Sequence, residues 1–220
     1  MYSFAQRPDT KVLDEPFYAV YLATTNADHP GRDEILKSMP AEEQTVLENI
    51  YSQKDQPVLF LKNMAHHIEV TNQDYINDTV NLFLIRDPAD IIASYARVIE
   101  KPTMRDIAIE FQYNLFSTLW RRGLRPLVID TALLLEDPES VLRHMCTHLD
   151  IPFYPEMLTW KTGPKPYDGI WAPHWYANVH KSTGFLRRDP GPSTVPDDLT
   201  ELYEQARDYY NKFRPYVIHP

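Results

Sequence analysis

Apolar residues along this chain fall into two alternating patterns. Nearly continuous apolar runs recur at Pro57-Val58-Leu59-Phe60-Leu61-Lys62, at Val80-Asn81-Leu82-Phe83-Leu84-Ile85-Arg86 and at Arg125-Pro126-Leu127-Val128-Ile129-Asp130. A weaker one occupies Lys11-Val12-Leu13-Asp14. The three stronger runs read as strands covered on both faces. Between them, apolar positions recur every three or four residues, which marks one buried helix face. That spacing predicts helices over Asp33 to Ser52 (with Pro40 opening a second piece), Pro88 to Glu100, Thr103 to Arg122, Glu139 to Leu149 and Leu199 to Phe213. Strands alternating with helices predict an α/β fold with a parallel sheet and right-handed crossovers. Residues 152–198 break the rhythm: they carry Trp160, Tyr167, Trp171, Trp175 and Tyr176 among turn signals, without a period. Such a segment reads either as a lid or binding loop, or as an irregular wrap whose aromatics pack on a sheet edge.

Length and composition narrow the class. A chain of 220 residues fits one domain, so 1–220 is read as a single α/β domain with 152–198 as a long loop region inside it. Hydrophobic residues at 43% and charged residues at 24% are those of a globular protein. No apolar run reaches the roughly 20 residues that span a bilayer. The first residues carry no secretory pattern. With one cysteine, Cys146, an intrachain disulfide is excluded, and a reducing, cytoplasmic setting is expected. The net charge of -9 argues against nucleic acid or an anionic membrane as partner. The six glycines form neither G-x-G-x-x-G nor G-x-x-x-x-G-K-[ST], so both phosphate-binding fingerprints are absent from the sequence.

The strongest local signal is Leu84-Ile85-Arg86-Asp87-Pro88-Ala89-Asp90-Ile91-Ile92-Ala93-Ser94. A strand ends at Arg86, Asp87 is a natural N-cap, Pro88 a natural first helical residue, and Asp90 complements the helix dipole. Arg86 therefore stands at the carboxyl end of a parallel strand, where open α/β sheets bind ligands. An arginine and the Ser94 hydroxyl at that edge are able to grip one phosphate. The alternative is an arginine ion-paired to Asp90 or Asp14, with Ser94 an ordinary helix residue.

Arg86-Asp87-Pro88 followed by Ser94 resembles the 3'-phosphate-binding motif of sulfotransferases that use 3'-phosphoadenosine-5'-phosphosulfate (PAPS). Other stretches agree. Pro126 to Asp130, Leu135-Glu136-Asp137-Pro138, Val141-Leu142 and Leu149-Asp150-Ile151-Pro152-Phe153 look like the family's strand, turn, helix and proline exit. Lys181-Ser182-Thr183-Gly184-Phe185-Leu186-Arg187-Arg188 looks like its C-terminal PAPS-covering loop. Asp14-Glu15-Pro16-Phe17-Tyr18, Lys62-Asn63-Met64-Ala65-His66-His67 and Trp171-Ala172-Pro173-His174-Trp175-Tyr176 look like a bacterial subgroup.

The resemblance implies a P-loop-like three-layer α/β/α fold. It also implies a departure: the family's first, central strand and its 5'-phosphosulfate-binding loop are missing, because Met1-Tyr2-Ser3-Phe4 looks like the middle of the first helix. A truncated chain or a late start is the expectation, with activity depending on the missing loop. By resemblance, Arg86 and Ser94 bind the 3'-phosphate of PAPS or of the product PAP, with Arg187 and Arg188 as further candidates. No metal is expected.

Two candidates compete for the base: Glu15, after the first strand, and His67 with its neighbour His66, after the strand ending at Lys62. Glu15 is preferred, with His67 next; Met64 stands where many members carry the histidine. The expected reaction is sulfuryl transfer to a hydroxyl or amine of a small-molecule acceptor. The alternatives are a non-catalytic nucleotide-binding or interaction protein of the same fold and a small-molecule kinase. A pyridoxal-phosphate aminotransferase reading would make Lys62 the Schiff-base lysine; no surrounding pattern supports it, and the chain is short for it.

Overall fold

The computed structural model describes residues 1–97, 101–186 and 193–220. From the N-terminus, strand β1 (Thr10–Asp14) leads through α1 (Tyr18–Thr25), α2 (Arg32–Ser38) and α3 (Glu43–Tyr51) to β2 (Val58–Lys62) and the short α4 (Ala65–Glu69). Next come β3 (Leu82–Ile85), α5 (Pro88–Tyr95), α6 (Met104–Ile107), α7 (Ile109–Arg121) and β4 (Leu127–Asp130). The chain continues with α8 (Thr131–Glu136), α9 (Pro138–His148), α10 (Ala172–Trp175), α11 (Ala177–His180) and α12 (Thr200–Phe213). It forms two compact units, one of Met1–Gln73 with Tyr154–Leu186 and one of Asp74–Phe153 with Arg187–Pro220.

Each unit is built on one parallel strand pair. In the first, β1 lies beside β2 with Thr10 opposite Val58 and Asp14 opposite Lys62. In the second, β3 lies beside β4 with Leu82 opposite Leu127 and Ile85 opposite Asp130. The α/β class and the parallel direction agree with the alternation of patterns in the sequence. All four predicted strands form, with ends shifted by a residue or two. Burial is less uniform than the apolar runs imply. β4 is buried at every position, whereas in β3 Phe83 and Ile85 are buried and Leu84 is 56% exposed. An apolar run reports the absence of polar residues, not the presence of two covering layers.

The helices differ from the periodic pattern in instructive ways. The 103–122 stretch is two helices, because Ala108 turns left-handed at φ 59° between α6 and α7. The 33–52 stretch is two helices, as the break at Pro40 predicts: α2 ends at Ser38 and α3 opens at Glu43. Of the helix predicted from Pro88, α5 ends at Tyr95; residues 98–100 lie outside the described residues. Helix α1 carries no periodic signal: Tyr18, Ala19, Val20, Tyr21 and Leu22 are all buried, so it has no polar face to alternate with. The segment predicted as a long loop holds the short helices α10 and α11 in the first unit.

Each unit has its own core. In the first, Tyr18, Leu22, Ile35 and Trp171 pack together. In the second, Phe213 of α12 meets Phe116 of α7 at a ring separation of 5.2 Å and Tyr113 at 5.3 Å, with Phe83 of β3 at 6.1 Å. Cys146 is buried on α9. Phe213 is fully buried, so Phe213→Ala is expected to cost about 3–5 kcal/mol through lost burial and a cavity. Urea unfolding of the two proteins measures it.

Candidate functional site

The end of the β1–β2 pair carries a dense polar cluster. Register places Asp14 opposite Lys62 at the carboxyl ends of both strands. The next residue, Glu15, leaves the strand with φ 45°, a left-handed conformation that costs a non-glycine residue roughly 1–2 kcal/mol. Its backbone N–H donates to the Lys62 carbonyl at 2.7 Å, which locks the turn. The turn directs the Glu15 carboxylate inward, where the Lys62 ammonium donates to it. Lys62 also lies 3.7 Å from Asp14 and donates to the Tyr176 hydroxyl at 3.1 Å. Tyr176 in turn donates to Asp14, at 2.7 and 2.8 Å from its two oxygens. The Gly169 N–H donates to Asp14 Oδ2 at 3.0 Å.

Exposure is unequal within the cluster. The side chains of Asp14 and Glu15 are buried, while about a quarter of Lys62 reaches solvent. Burial raises the Glu15 pKa, and the Lys62 ammonium, by charge and hydrogen bond, opposes part of that rise. Burial, with the Asp14 and Glu15 carboxylates beside it, pushes the Tyr176 phenol far above its ordinary value, so Tyr176 acts as a neutral donor. A buried carboxylate shifted upward is what a general base requires.

His67 lies next to this cluster on α4. Its ring stacks on Tyr18 at 4.4 Å and lies 4.8 Å from the Tyr21 ring, both from α1. Nδ1 is 3.5 Å from Glu15 Oε2, too far for a sound hydrogen bond, and has no other partner among the described residues. Burial, then the neighbouring His66, lowers its pKa to about 2. His67 is therefore a neutral imidazole, and its approach to Glu15 is not an ion pair. His66 sits edge-on to it at 4.8 Å and packs on Tyr21 at 5.2 Å.

The second unit carries the other predicted residues. Arg86 follows β3 directly, Asp87 caps α5 by accepting from Ala89 N–H at 2.8 Å, and Pro88 opens the helix, as the sequence predicts. Arg86 Nε donates to Asp90 Oδ2 at 3.1 Å. Ser94 is exposed near the end of α5. The adjacent end of β4 is closed by Asp130, which accepts from Ala132 N–H at 2.7 Å and from the Tyr210 hydroxyl. Arg187 and Arg188 lie outside the described residues.

Glu15, His66 and His67 thus come together in one unit, and Arg86 with Ser94 lie on adjoining elements of the other. Tyr176 stood out in the sequence only as an aromatic of the loop region and of the family-like stretch, with no site role. It lies in the aperiodic segment and reaches Asp14 across a separation of 162 residues. Asp14 and Lys62 carried a signal that could have been used: each is the polar residue closing an apolar strand.

One strand-pair end thus carries a buried acid–base cluster, and the other an arginine beside a capped helix. The chain belongs to the sulfotransferase-domain family, whose sequence model matches residues 1–215. Two curated Arabidopsis thaliana proteins are similar to it. Branched-chain-amino-acid aminotransferase-like protein 1 is 38% identical over 221 residues, covering all of this chain and 40% of that protein. Branched-chain-amino-acid aminotransferase-like protein 2 is 37% identical, covering all of this chain and 39% of that protein. The chain spans about two-fifths of the length of these relatives. Among solved structures, the sulfotransferase domain from the curacin biosynthetic pathway superposes with a TM-score of 0.45 at 17% identity, over 91% of this chain and 78% of that one. No helix among the described residues is long and apolar enough to cross a membrane.

Two tests address the cluster. The Trp171 indole lies where a Cβ on Gly169 would stand, at 2.1 Å. Gly169→Ala is therefore expected to displace Trp171 and the N–H that Asp14 accepts, lowering stability by about 1–3 kcal/mol in urea unfolding. The second test is pH. His67 binds its proton only near pH 2 when folded and near its ordinary 6.5 when unfolded. The unfolded state thus holds more protons between those values, and stability falls as pH drops below about 6.5. Glu15 works in the opposite sense: its raised pKa makes stability fall as pH rises from 4.5 through its folded value. His67→Phe is expected to remove up to ~1.4 kcal/mol per pH unit from the acid-side slope. Urea midpoints between pH 4 and 7 measure it; an unchanged slope would mean His67 is protonated in the folded protein.

Proposed function

We propose that this protein is a sulfotransferase that uses PAPS as sulfuryl donor and a hydroxyl or amine of a small molecule as acceptor. The observation that carries the reading is the junction at the end of β3. Arg86, the Asp87 cap, Pro88 and Ser94 lie along one strand-to-helix junction in a chain of the sulfotransferase-domain family, and this junction supports the assignment of an anion site there. Asp90 engages Arg86 at Nε, so the guanidinium's terminal nitrogens suit a phosphate. Arg86 and Ser94 hold the 3'-phosphate; Arg187 and Arg188 are assigned to the same phosphate by resemblance. The donor supplies an already activated sulfuryl group, so the protein's work is positioning, charge stabilisation and removal of one proton.

That proton is assigned to Glu15. Its upward shift by burial makes it a stronger base than an exposed carboxylate. Lys62 is the ionic member of the cluster that reaches solvent, so it presents a positive charge and shields the carboxylate until an acceptor arrives. His67, the second candidate, serves better as a neutral wall: its ring is buried between tyrosines, and its low pKa makes it a poor proton acceptor near neutrality. Tyr176 fixes Asp14 and Lys62 together. A cytoplasmic location fits the single cysteine.

Calorimetric titration of 3'-phosphoadenosine-5'-phosphate tests the donor assignment. Arg86→Ala is expected to weaken binding about 10–100-fold, the loss of a charge-assisted phosphate contact worth roughly 1.5–3 kcal/mol. Equal binding by the variant would refute the assignment. For the base, Glu15→Gln is expected to reduce transfer of labelled sulfate from PAPS to a pool of phenols, amines and sugars by about 100-fold or more, with nucleotide affinity unchanged. Full turnover by the variant would exclude Glu15.

A further inference from the structure

The carboxylate of Asp90 does more than meet Arg86: it joins two distant parts of the second unit. Arg86 Nε donates to Asp90 Oδ2 at 3.1 Å. The Ser193 hydroxyl, 103 residues further along the chain, donates to Asp90 Oδ1 at 2.5 Å. Each oxygen of one carboxylate therefore has its own donor, and the plane of the carboxylate is fixed from both sides. The Arg86–Asp90 pair is partly exposed, with 40% of the arginine side chain and 23% of the aspartate side chain accessible. Exposed pairs at this helical spacing contribute little to stability, so orientation is the larger effect of this one.

Orientation matters because a guanidinium is a rigid planar fork. A carboxylate on its Nε edge fixes the rotation of the plane. The two terminal nitrogens then face outward as a preformed pair of donors with the spacing of two phosphate oxygens. Without that partner, the arginine stem samples many rotamers and has to be ordered when the phosphate binds, which weakens affinity. A single negative charge nearby also opposes an incoming phosphate. The geometry favours the first effect, because Asp90 meets Arg86 at Nε rather than at the terminal nitrogens and turns its second oxygen to Ser193.

We propose that Asp90 is a positioning residue for the nucleotide's 3'-phosphate: it fixes the Arg86 guanidinium, and Ser193 fixes Asp90. The inference rests on the assignment of that phosphate to Arg86. It makes the stretch after the basic segment Arg187-Arg188 a contributor to 3'-phosphate selectivity through Ser193, without Ser193 touching the nucleotide.

The test compares two nucleotides, 3'-phosphoadenosine-5'-phosphate and 5'-AMP, titrated by calorimetry into the full chain and its Asp90→Ala, Asp90→Asn, Ser193→Ala and Arg86→Ala variants. Asp90→Ala is expected to weaken the 3'-phosphorylated nucleotide about tenfold and leave 5'-AMP unchanged, so that selectivity falls. Asp90→Asn keeps an acceptor oxygen toward Arg86 and is expected to restore most of the selectivity. Ser193→Ala is expected to fall between wild type and Asp90→Ala. A merely structural role would weaken both nucleotides together, and that result overturns the proposal. So does equal or tighter binding of the 3'-phosphorylated nucleotide by Asp90→Ala, which would make the carboxylate a competitor of the phosphate. Arg86→Ala separates the two levels. If it binds like wild type, the phosphate is not on Arg86 and both readings fail; if it loses selectivity while Asp90→Ala does not, only the positioning role fails.

Discussion

Two carboxylates and one lysine share the buried end of the β1–β2 pair, and the first unit is arranged around keeping them there. An isolated buried carboxylate carries a desolvation cost of several kcal/mol, and a Coulomb partner offsets it only when the remaining lone pairs are also satisfied. Here Lys62 supplies the charge to Glu15, while Tyr176 and the Gly169 N–H satisfy Asp14. Two of these partners come from the segment that returns to the unit at Tyr154. The long aperiodic stretch is thus tied down by polar contacts as much as by its aromatics. Its lack of helical period follows from having to deliver a tyrosine, a backbone N–H and an indole to fixed points within a few residues.

The strain at Glu15 belongs to the same arrangement. A left-handed glutamate directly after a strand is unfavourable by itself, yet its own N–H is held by the Lys62 carbonyl and its side chain by the Lys62 ammonium. The neighbouring strand therefore defines both the backbone and the side chain of the proposed base. His67 completes the surround without adding charge. Burial, with His66 and Lys62 nearby, holds it as a neutral imidazole against two tyrosine rings of α1. Among the described residues, the positive side chain that stays charged within ion-pair distance of Glu15 is therefore that of Lys62.

The second unit applies the same rule with different chemistry. At the end of β3–β4, Asp130 is buried, caps α8 and takes the Tyr210 hydroxyl from α12, which ties the C-terminal helix to the strand end. One residue beyond the neighbouring strand, Arg86 remains partly exposed and leans on Asp90. At one strand end a carboxylate holds helices together, and at the other an arginine stays partly exposed beside a helix start.

Much of this was legible in the sequence, and the reasons are specific. The four strands could be read because their short apolar runs, each closed by a polar residue, alternate with stretches of helical period. The Arg86–Asp87–Pro88 junction could be read because cap and proline preferences act within a few residues. Helix α1 could not be read, since its first five residues are all buried and show no alternation. Nor could the break at Ala108, where a left-handed alanine interrupts a periodic pattern. By itself, then, the sequence determined the α/β class, the strand ends and the residue types available there, because those follow from local periodicity and local hydrogen bonding. The tertiary structure alone decided that Asp14, Glu15, Lys62 and Tyr176 meet, that His67 is neutral, and that Ser193 reaches the Asp90 carboxylate, the partner of Arg86 that the sequence offered as one alternative. Those outcomes depend on strand register, on burial and on contacts between residues more than a hundred positions apart, which no local pattern encodes.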